Sequence, residues 1–300
     1  MLKSFKGDVM ILTKKLLLLL VGACLLYGCT TSFVYNRLDS LITWYVDDYV
    51  DLTSAQKKQL QYELQPALNW HRQEELHKNI VLLETIRNDV EQQVQVETVA
   101  QWTEELLQSF RRIQLNLVDA ALVFGNTLSD EQMQEFITSV KEKQLERKKE
   151  YLSRSDEEYI EDSYDRLEDR LSGYLGNLNE KQQLALQQAV GNLQRLDRIW
   201  LADRDSWLNR VTPLLKREPG WQAEIRTLFE ERETYRTDEY RRVFAHNLGI
   251  VNQAITRVLN LRNDKQQQIL MTELDEFKAD LQTLMAFREN TDDFSRRKTL

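Results

Sequence analysis

Apolar residues recur along this chain at intervals of three and four. Ile160, Tyr164, Leu167, Leu171, Tyr174 and Leu178 form one series, and Leu270, Leu274, Phe277, Leu281 and Leu284 another. Leu186, Val190 and Leu193 continue the habit, as do Trp200, Trp207, Val211 and Leu214. A period near 3.6 puts each series on one side of a helix and leaves the other side to water. The stripes are expected to pack helix against helix, with Trp200 and Trp207, one heptad apart, in the core. No segment of useful length alternates with the period of two that a half-buried strand needs. The pattern predicts an all-α protein, an extended array or bundle of long helices.

Punctuation places the breaks. Gly125 follows Phe124 as a helix end, Gly173, Gly176 and Asn177 mark a second turn, and Pro213 with Glu218-Pro219-Gly220 a third, Trp221 opening the next helix. Pro66 interrupts a helical pattern, so a kink or a first-turn position is expected there. Residues 141–150 carry a single apolar side chain, Leu145, and read as a solvated helix surface or an extended arm. The all-α region is drawn over 36–290, with a sub-boundary near 125 or 176 left open, and the polar segment 291–300 is expected to be disordered.

A degenerate repeat runs through the chain. It reads Leu52-Thr53-Ser54-Ala55-Gln56, Leu128-Ser129-Asp130-Glu131-Gln132 and Leu178-Asn179-Glu180-Lys181-Gln182, with a weaker copy at Asn263-Asp264-Lys265-Gln266. In each, Thr53, Ser129 or Asn179 can accept from the free amides of a helix's first turn. The glutamine three places on (Gln56, Gln132 or Gln182) can reach back to the cap amide, which is a capping box. Apolar residues follow each glutamine at four and eight places: Leu60 and Leu64, Phe136 and Val140, Leu186 and Val190, Leu270 and Leu274. The spacing between copies is too uneven for a regular solenoid.

The first thirty residues differ from the rest. Lys14 and Lys15 precede an apolar run from Leu16 to Tyr27, short of the roughly 20 residues that span a bilayer. A positive start, a short apolar core and small residues at its end describe an export signal. Leu26-Tyr27-Gly28-Cys29 then resembles the bacterial lipoprotein box, with Val21-Gly22-Ala23-Cys24 as a competing match and a buried thiol in an uncleaved anchor as the plain alternative. The resemblance implies a signal peptide over 1–28, diacylglycerol and an N-acyl chain on Cys29, and a lipidated tether over 29–35. Thr30 in place of aspartate implies the outer membrane, facing the periplasm. Translation can start at Met1 or Met10.

Composition agrees with this picture. Nine glycines and three prolines in 300 residues leave few turns, which disfavours a β-sandwich or an α/β fold. Cleavage before Cys29 removes four lysines and one aspartate, so the net charge of −8 becomes −11. An acidic chain lacks the basic face that nucleic acid requires. Two cysteines, both in the leader region, exclude a disulfide framework and a thiol nucleophile in the mature chain.

Val34-Tyr35-Asn36-Arg37-Leu38-Asp39, then Trp44-Tyr45-Val46-Asp47-Asp48-Tyr49-Val50-Asp51-Leu52, then Asn69-Trp70-His71-Arg72 resemble an uncharacterised family of proteobacterial all-helical lipoproteins. That resemblance implies fold and location and supplies no catalytic residue. More weakly, Leu52-Thr53-Ser54-Ala55-Gln56 is similar to the LTxxQ motif of the Spy/CpxP periplasmic chaperones, repeats of which also occur in lipase foldases. It implies client proteins cradled on helical faces.

Chemistry was sought residue by residue. His71 and His77 are six apart, on different sides of a helix, and Glu74 with His77 makes one Glu-x-x-His where a di-metal bundle needs two. His246 has Val243 where a glutamate would stand. No P-loop, Gly-x-Ser-x-Gly or Gly-x-Gly-x-x-Gly occurs. No metal, small-molecule substrate or cofactor beyond the lipid on Cys29 is expected, nor an enzymatic activity. Trp44, Tyr45 and Tyr49 lie on or near one helical side close to the anchor, where they either enter the core or rest at lipid headgroups. The expected partners are the membrane, through the anchor, and an envelope protein. The functional expectation is a scaffold or adaptor, with a client-holding chaperone as the alternative and an envelope enzyme a distant third.

Overall fold

The computed structural model describes Ser32 and residues 34–286. Cys29, the leader 1–28 and the tail 291–300 lie outside the described residues. Among those described, all regular structure is helical. We number the helices α1 Leu38–Asp47, α2 Ser54–Trp70, α3 Leu76–Asp89, α4 Val96–Gly125, α5 Asp130–Ser153, α6 Asp156–Leu175, α7 Glu180–Val190, α8 Asp197–Leu214, α9 Trp221–Glu230, α10 Asp238–Asn260 and α11 Asp264–Ala286. A π-turn, His71–Glu75, joins α2 to α3, and a 3-10 turn, Arg232–Tyr235, precedes α10.

Helix α4 is the spine. Its 30 residues hold no internal glycine or proline and span about 45 Å. Val99, Trp102, Ile113, Ala120 and Phe124 recur along it and are buried. Around it pack α2, α3, α9 and α10, while α11 lies on α3 and α6, and α7 on α6 and α10. It ends at Gly125, where a Cβ would sit 3.0 Å from the Trp221 ring, so glycine lets α9 close onto the spine. The buried apolar cluster runs from Tyr35 to Leu284 without a gap at 125 or 176.

Several expectations need correction. Tyr35 is buried in the core, so the domain begins within the stretch assigned to the tether. Pro66 sits in the interior of α2, and the helix widens into the π-turn five residues later. In α5 the core is filled by Met133 and Ile137, whereas Phe136 and Val140 are half-buried. Residues 141–150 are helical, but not simply solvated: Gln144 and Arg147 are buried and Leu145 is exposed. Trp200 and Trp207 are only half-buried and stand outside the apolar cluster. Each carries an arginine on its ring, Arg204 at 5.8 Å and Arg232 at 4.5 Å from the ring centre. Helix α8 therefore meets α5 through aromatic, amide and charged groups rather than through a leucine seam.

Candidate functional site

All four copies of the repeat form capping boxes. Thr53, Ser129 and Asn179 accept from the backbone N–H of Gln56, Gln132 and Gln182, and each glutamine Oε1 accepts from the cap amide in return. Asn263 and Gln266 make the same pair of bonds at 2.9 and 3.2 Å.

The side-chain amides then reach across the fold. Gln56 Nε2 donates to Gln132 Oε1 at 2.8 Å, and Gln132 Nε2 donates to Gln56 Oε1 at 2.9 Å. Each also donates to a main-chain carbonyl in the other's turn, Thr127 at 3.1 Å and Asp51 at 2.8 Å. The third and fourth copies pair likewise. Gln266 Nε2 donates to Gln182 Oε1 at 2.9 Å and to the Asn177 carbonyl at 3.0 Å, while Gln182 Nε2 donates to the Val258 carbonyl at 3.0 Å. The repeat thus builds two joints, α2 with α5 and α7 with α11, between residues 76 and 84 apart in sequence. Glutamine is required because one side chain must accept from its own cap amide and donate to a partner turn. Ser155 and Glu158 form a fifth box, but a carboxylate cannot donate and no cross-chain bond arises from it. The preference for Gln over Glu was the available sign of this pairing in the sequence.

A second constellation surrounds the π-turn. A π-turn is uncommon and often marks a functional position. His71 is buried, with Nδ1 2.7 Å from the Tyr35 hydroxyl and Nε2 without a hydrogen-bond partner. Burial, with the nearby Arg72 charge, pushes its pKa down to about 4 against the pull of Glu75, so the ring is neutral at pH 7. His71 also lines a small recess with Ala67, Leu68, Trp70, Ile113, Asn116 and Leu117. One turn on, Glu75 is fully buried and accepts from Arg112 Nε at 2.9 Å and Nη2 at 2.7 Å. Burial alone would raise the Glu75 pKa. The bonds from Arg112 and Ser109 and the charges of Arg112 and Lys78 overcome it and hold the carboxyl below its ordinary value. His77 is exposed, and exposed His246 uses Nε2 on the Asn192 carbonyl at 3.1 Å. Among the described residues no group of three potential metal ligands converges.

The aromatic segment Trp44–Tyr49 divides. Trp44 is 65% exposed, Tyr45 is half-buried and Tyr49 is buried against Phe136. They do not share one side of α1: Trp44 faces solvent, and the two tyrosines face α5 and α8, with hydroxyls 2.8 Å apart. Lys143 lies 3.8 Å from the centre of the Tyr49 ring and pairs with Asp48. Sequence reasoning passed over Arg147 and Arg204, which lie against these tyrosines.

The profile of a family of unknown function, DUF6279, matches residues 48–241. The chain belongs to the DUF6279 family. The match agrees with the resemblance to an uncharacterised family drawn from Trp44–Leu52 and Asn69–Arg72, although the matched DUF6279 region starts at Asp48 and leaves Val34–Asp39 before it. No curated protein and no solved structure matches this DUF6279 member. No described helix is long and apolar enough to cross a membrane.

Proposed function

We propose that this protein is a lipid-anchored scaffold of the bacterial cell envelope, held by acyl chains on Cys29 to the periplasmic side of the outer membrane and acting by binding a defined protein partner. The observation that carries the reading is the pair of glutamine joints. Each fixes two helix starts that are distant in sequence, and the caps supply the same amide geometry four times. A frame braced in this way holds its surfaces in one arrangement, which suits presentation to one partner. A protein that shelters many nonnative clients profits instead from adaptable, re-packing surfaces.

The leader supports the anchor: a basic start, a twelve-residue apolar run and the Leu26-Tyr27-Gly28-Cys29 box. Two or more acyl chains suffice for stable attachment without a spanning helix. Exposed Trp44 and Tyr62 lie on the hairpin α1–α2 that follows the tether. They are the large aromatic side chains available to a partner or to headgroups there.

Two measurements test this. Labelled palmitate is incorporated into the wild-type chain and not into Cys29→Ala; equal labelling of both refutes the anchor. Aggregation of a denatured substrate is unaffected by the purified protein; suppression without nucleotide would favour the holding chaperone instead.

A further inference from the structure

Several half-buried arginines of this protein have carboxylate partners, and half-buried Arg262 donates instead to Gln267 Oε1 and to the Leu259, Val90 and Gln92 carbonyls. Arg112 pairs with Glu75, Arg154 with Asp162 and Asp197, Arg195 with Asp156 and Asp197, Arg217 with Asp130, and Arg232 with Asp203. Arg147 and Arg204 have fewer partners than any of these. Arg147 is 5% exposed and makes no hydrogen bond or ion pair among the described residues. Arg204 spends Nε on Gln144 Oε1 at 2.7 Å and has no acceptor for its other two nitrogens among the described residues.

The surrounding carboxylates are committed elsewhere. Asp205 accepts from Gln144 Nε2 at 2.9 Å and pairs with Lys148, Asp203 is taken by Arg232, and Asp48 by Lys143. Glu146 and Glu150, beside Arg147 on α5, are exposed and make no bond to it. Gln144, which holds Arg204 Nε, lies one turn before Arg147 on the buried side of α5, so the two arginines are neighbours; burial, followed by the charge of Arg147, pushes the Arg204 pKa down to about 10. Both act on the Tyr45 hydroxyl. Of the Tyr45–Tyr49 hydroxyl pair, one proton bridges the two oxygens, which leaves the other free to donate outward. The nitrogens of Arg147 are not among the fully enclosed unpartnered atoms, so they keep contact with solvent.

Two neighbouring cations with donors that no protein group fills suit an acceptor carrying negative charge. We propose that Arg147 and Arg204, with the hydroxyls of Tyr45 and Tyr49, form a binding site for a single phosphate group. A dianionic phosphate monoester matches two forked guanidinium donors and one hydroxyl donor. The phosphate is carried either by a small soluble molecule or by a lipid headgroup.

The test is calorimetric titration of the full-length, detergent-solubilised protein with sodium phosphate and with glycerol 3-phosphate, sodium chloride being the control. A parallel arm compares sedimentation of the wild type and Arg147→Met with phosphatidylcholine vesicles carrying phosphatidic acid, a phosphate monoester, and with phosphatidylcholine alone. The wild type binds one phosphate saturably, and Arg147→Met and Arg204→Met bind about tenfold to a hundredfold more weakly. Without phosphate, Arg147→Met melts at the same temperature as the wild type or higher, because an unpaired shielded charge has been removed. Arg147→Lys, which keeps the charge and folds with least change, retains weaker binding. Arginine-dependent binding confined to vesicles assigns the phosphate to lipid; binding of the soluble ions assigns it to a free ligand. No saturable binding in either arm overturns the proposal, as does binding that Arg147→Met and Arg147→Lys leave unchanged.

Discussion

Replacing Gln182 by alanine tests the joint where it is most enclosed. Gln182 has no exposed surface, and its side chain makes three bonds: from the Asn179 N–H at 2.9 Å, from Gln266 Nε2 at 2.9 Å, and to the Val258 carbonyl at 3.0 Å. A net contribution of about 1 kcal/mol per bond gives roughly 3 kcal/mol, and a residual cavity adds to it. For a domain of this size each kcal/mol moves the melting temperature by about 2–4 °C, so a fall of roughly 10 °C is expected. Gln56 occupies the same place in its own box but is only half-buried, so water replaces part of what is lost and Gln56→Ala costs about 1 kcal/mol. Gln182→Glu sharpens the comparison. Glutamate serves well at this position in an ordinary capping box, yet here it places a charge at a fully buried site and cannot donate to Val258. It should destabilise at least as much as alanine. Thermal melts by circular dichroism at neutral pH, with the Gln182→Ala/Gln266→Ala double variant, complete the test. The double variant should lose less than the sum of the single losses, because the two share a bond. Equal costs for Gln56→Ala and Gln182→Ala, with strict additivity in the double variant, would refute the account of the joint.

Other expectations follow from the same structure. Because His71 is held neutral, with its pKa near 4 against an ordinary 6.5, the unfolded chain binds the proton more readily. Its contribution is complete above pH 6.5 and is lost as pH falls toward 4, roughly 3 kcal/mol in all; urea titrations across that range should show a slope that His71→Gln lacks. Arg112→Leu strips the fully buried Glu75 of its bidentate partner and should cost about 3–5 kcal/mol, read as a lower urea midpoint, whereas Glu75→Gln/Arg112→Leu together recover part of the loss. Gly176 has φ 68° and ψ −159°, a conformation reserved for glycine, with Ile269 Cδ1 3.1 Å from a Cβ position. Gly176→Ala should therefore lower stability by about 1–3 kcal/mol, and an unchanged melt would show that the α6–α7 turn relaxes.

Much of the fold was legible because helix faces that meet leucine on the other side leave a periodic trace. Leu270, Leu274, Leu281 and Leu284 are buried as their spacing requires, and the breaks at Gly125, Gly176 and Trp221 fall where glycine and proline put them. The caps were legible too, since a capping box is a local device four residues long. The pairing between boxes was not, because it depends on which turns tertiary packing brings together. Residues 141–150 show the limit of polarity as a guide. Gln144 is buried because Asp205 and Arg204, some sixty positions away, satisfy its amide, and nothing local distinguishes it from a solvated glutamine. Trp200 and Trp207 fail in the opposite sense: their spacing signals a core, but arginines cover their faces and leave them half-exposed. The burial of His71 follows from the π-turn and from Tyr35 36 residues earlier, neither of which has a local signature in the sequence.

Quantitative affinity capture bears most directly on the claim that a braced, anchored frame serves a defined partner. The wild-type chain, Cys29→Ala and a variant with both joints opened, Gln132→Ala/Gln182→Ala, are each recovered from detergent-solubilised envelope at a temperature where all three remain folded. The account predicts one or a few proteins bound in fixed ratio by the wild type, and weaker recovery when the joints are opened or the anchor is removed. A broad, substoichiometric collection of unfolded envelope proteins, captured equally by all three chains, would contradict it.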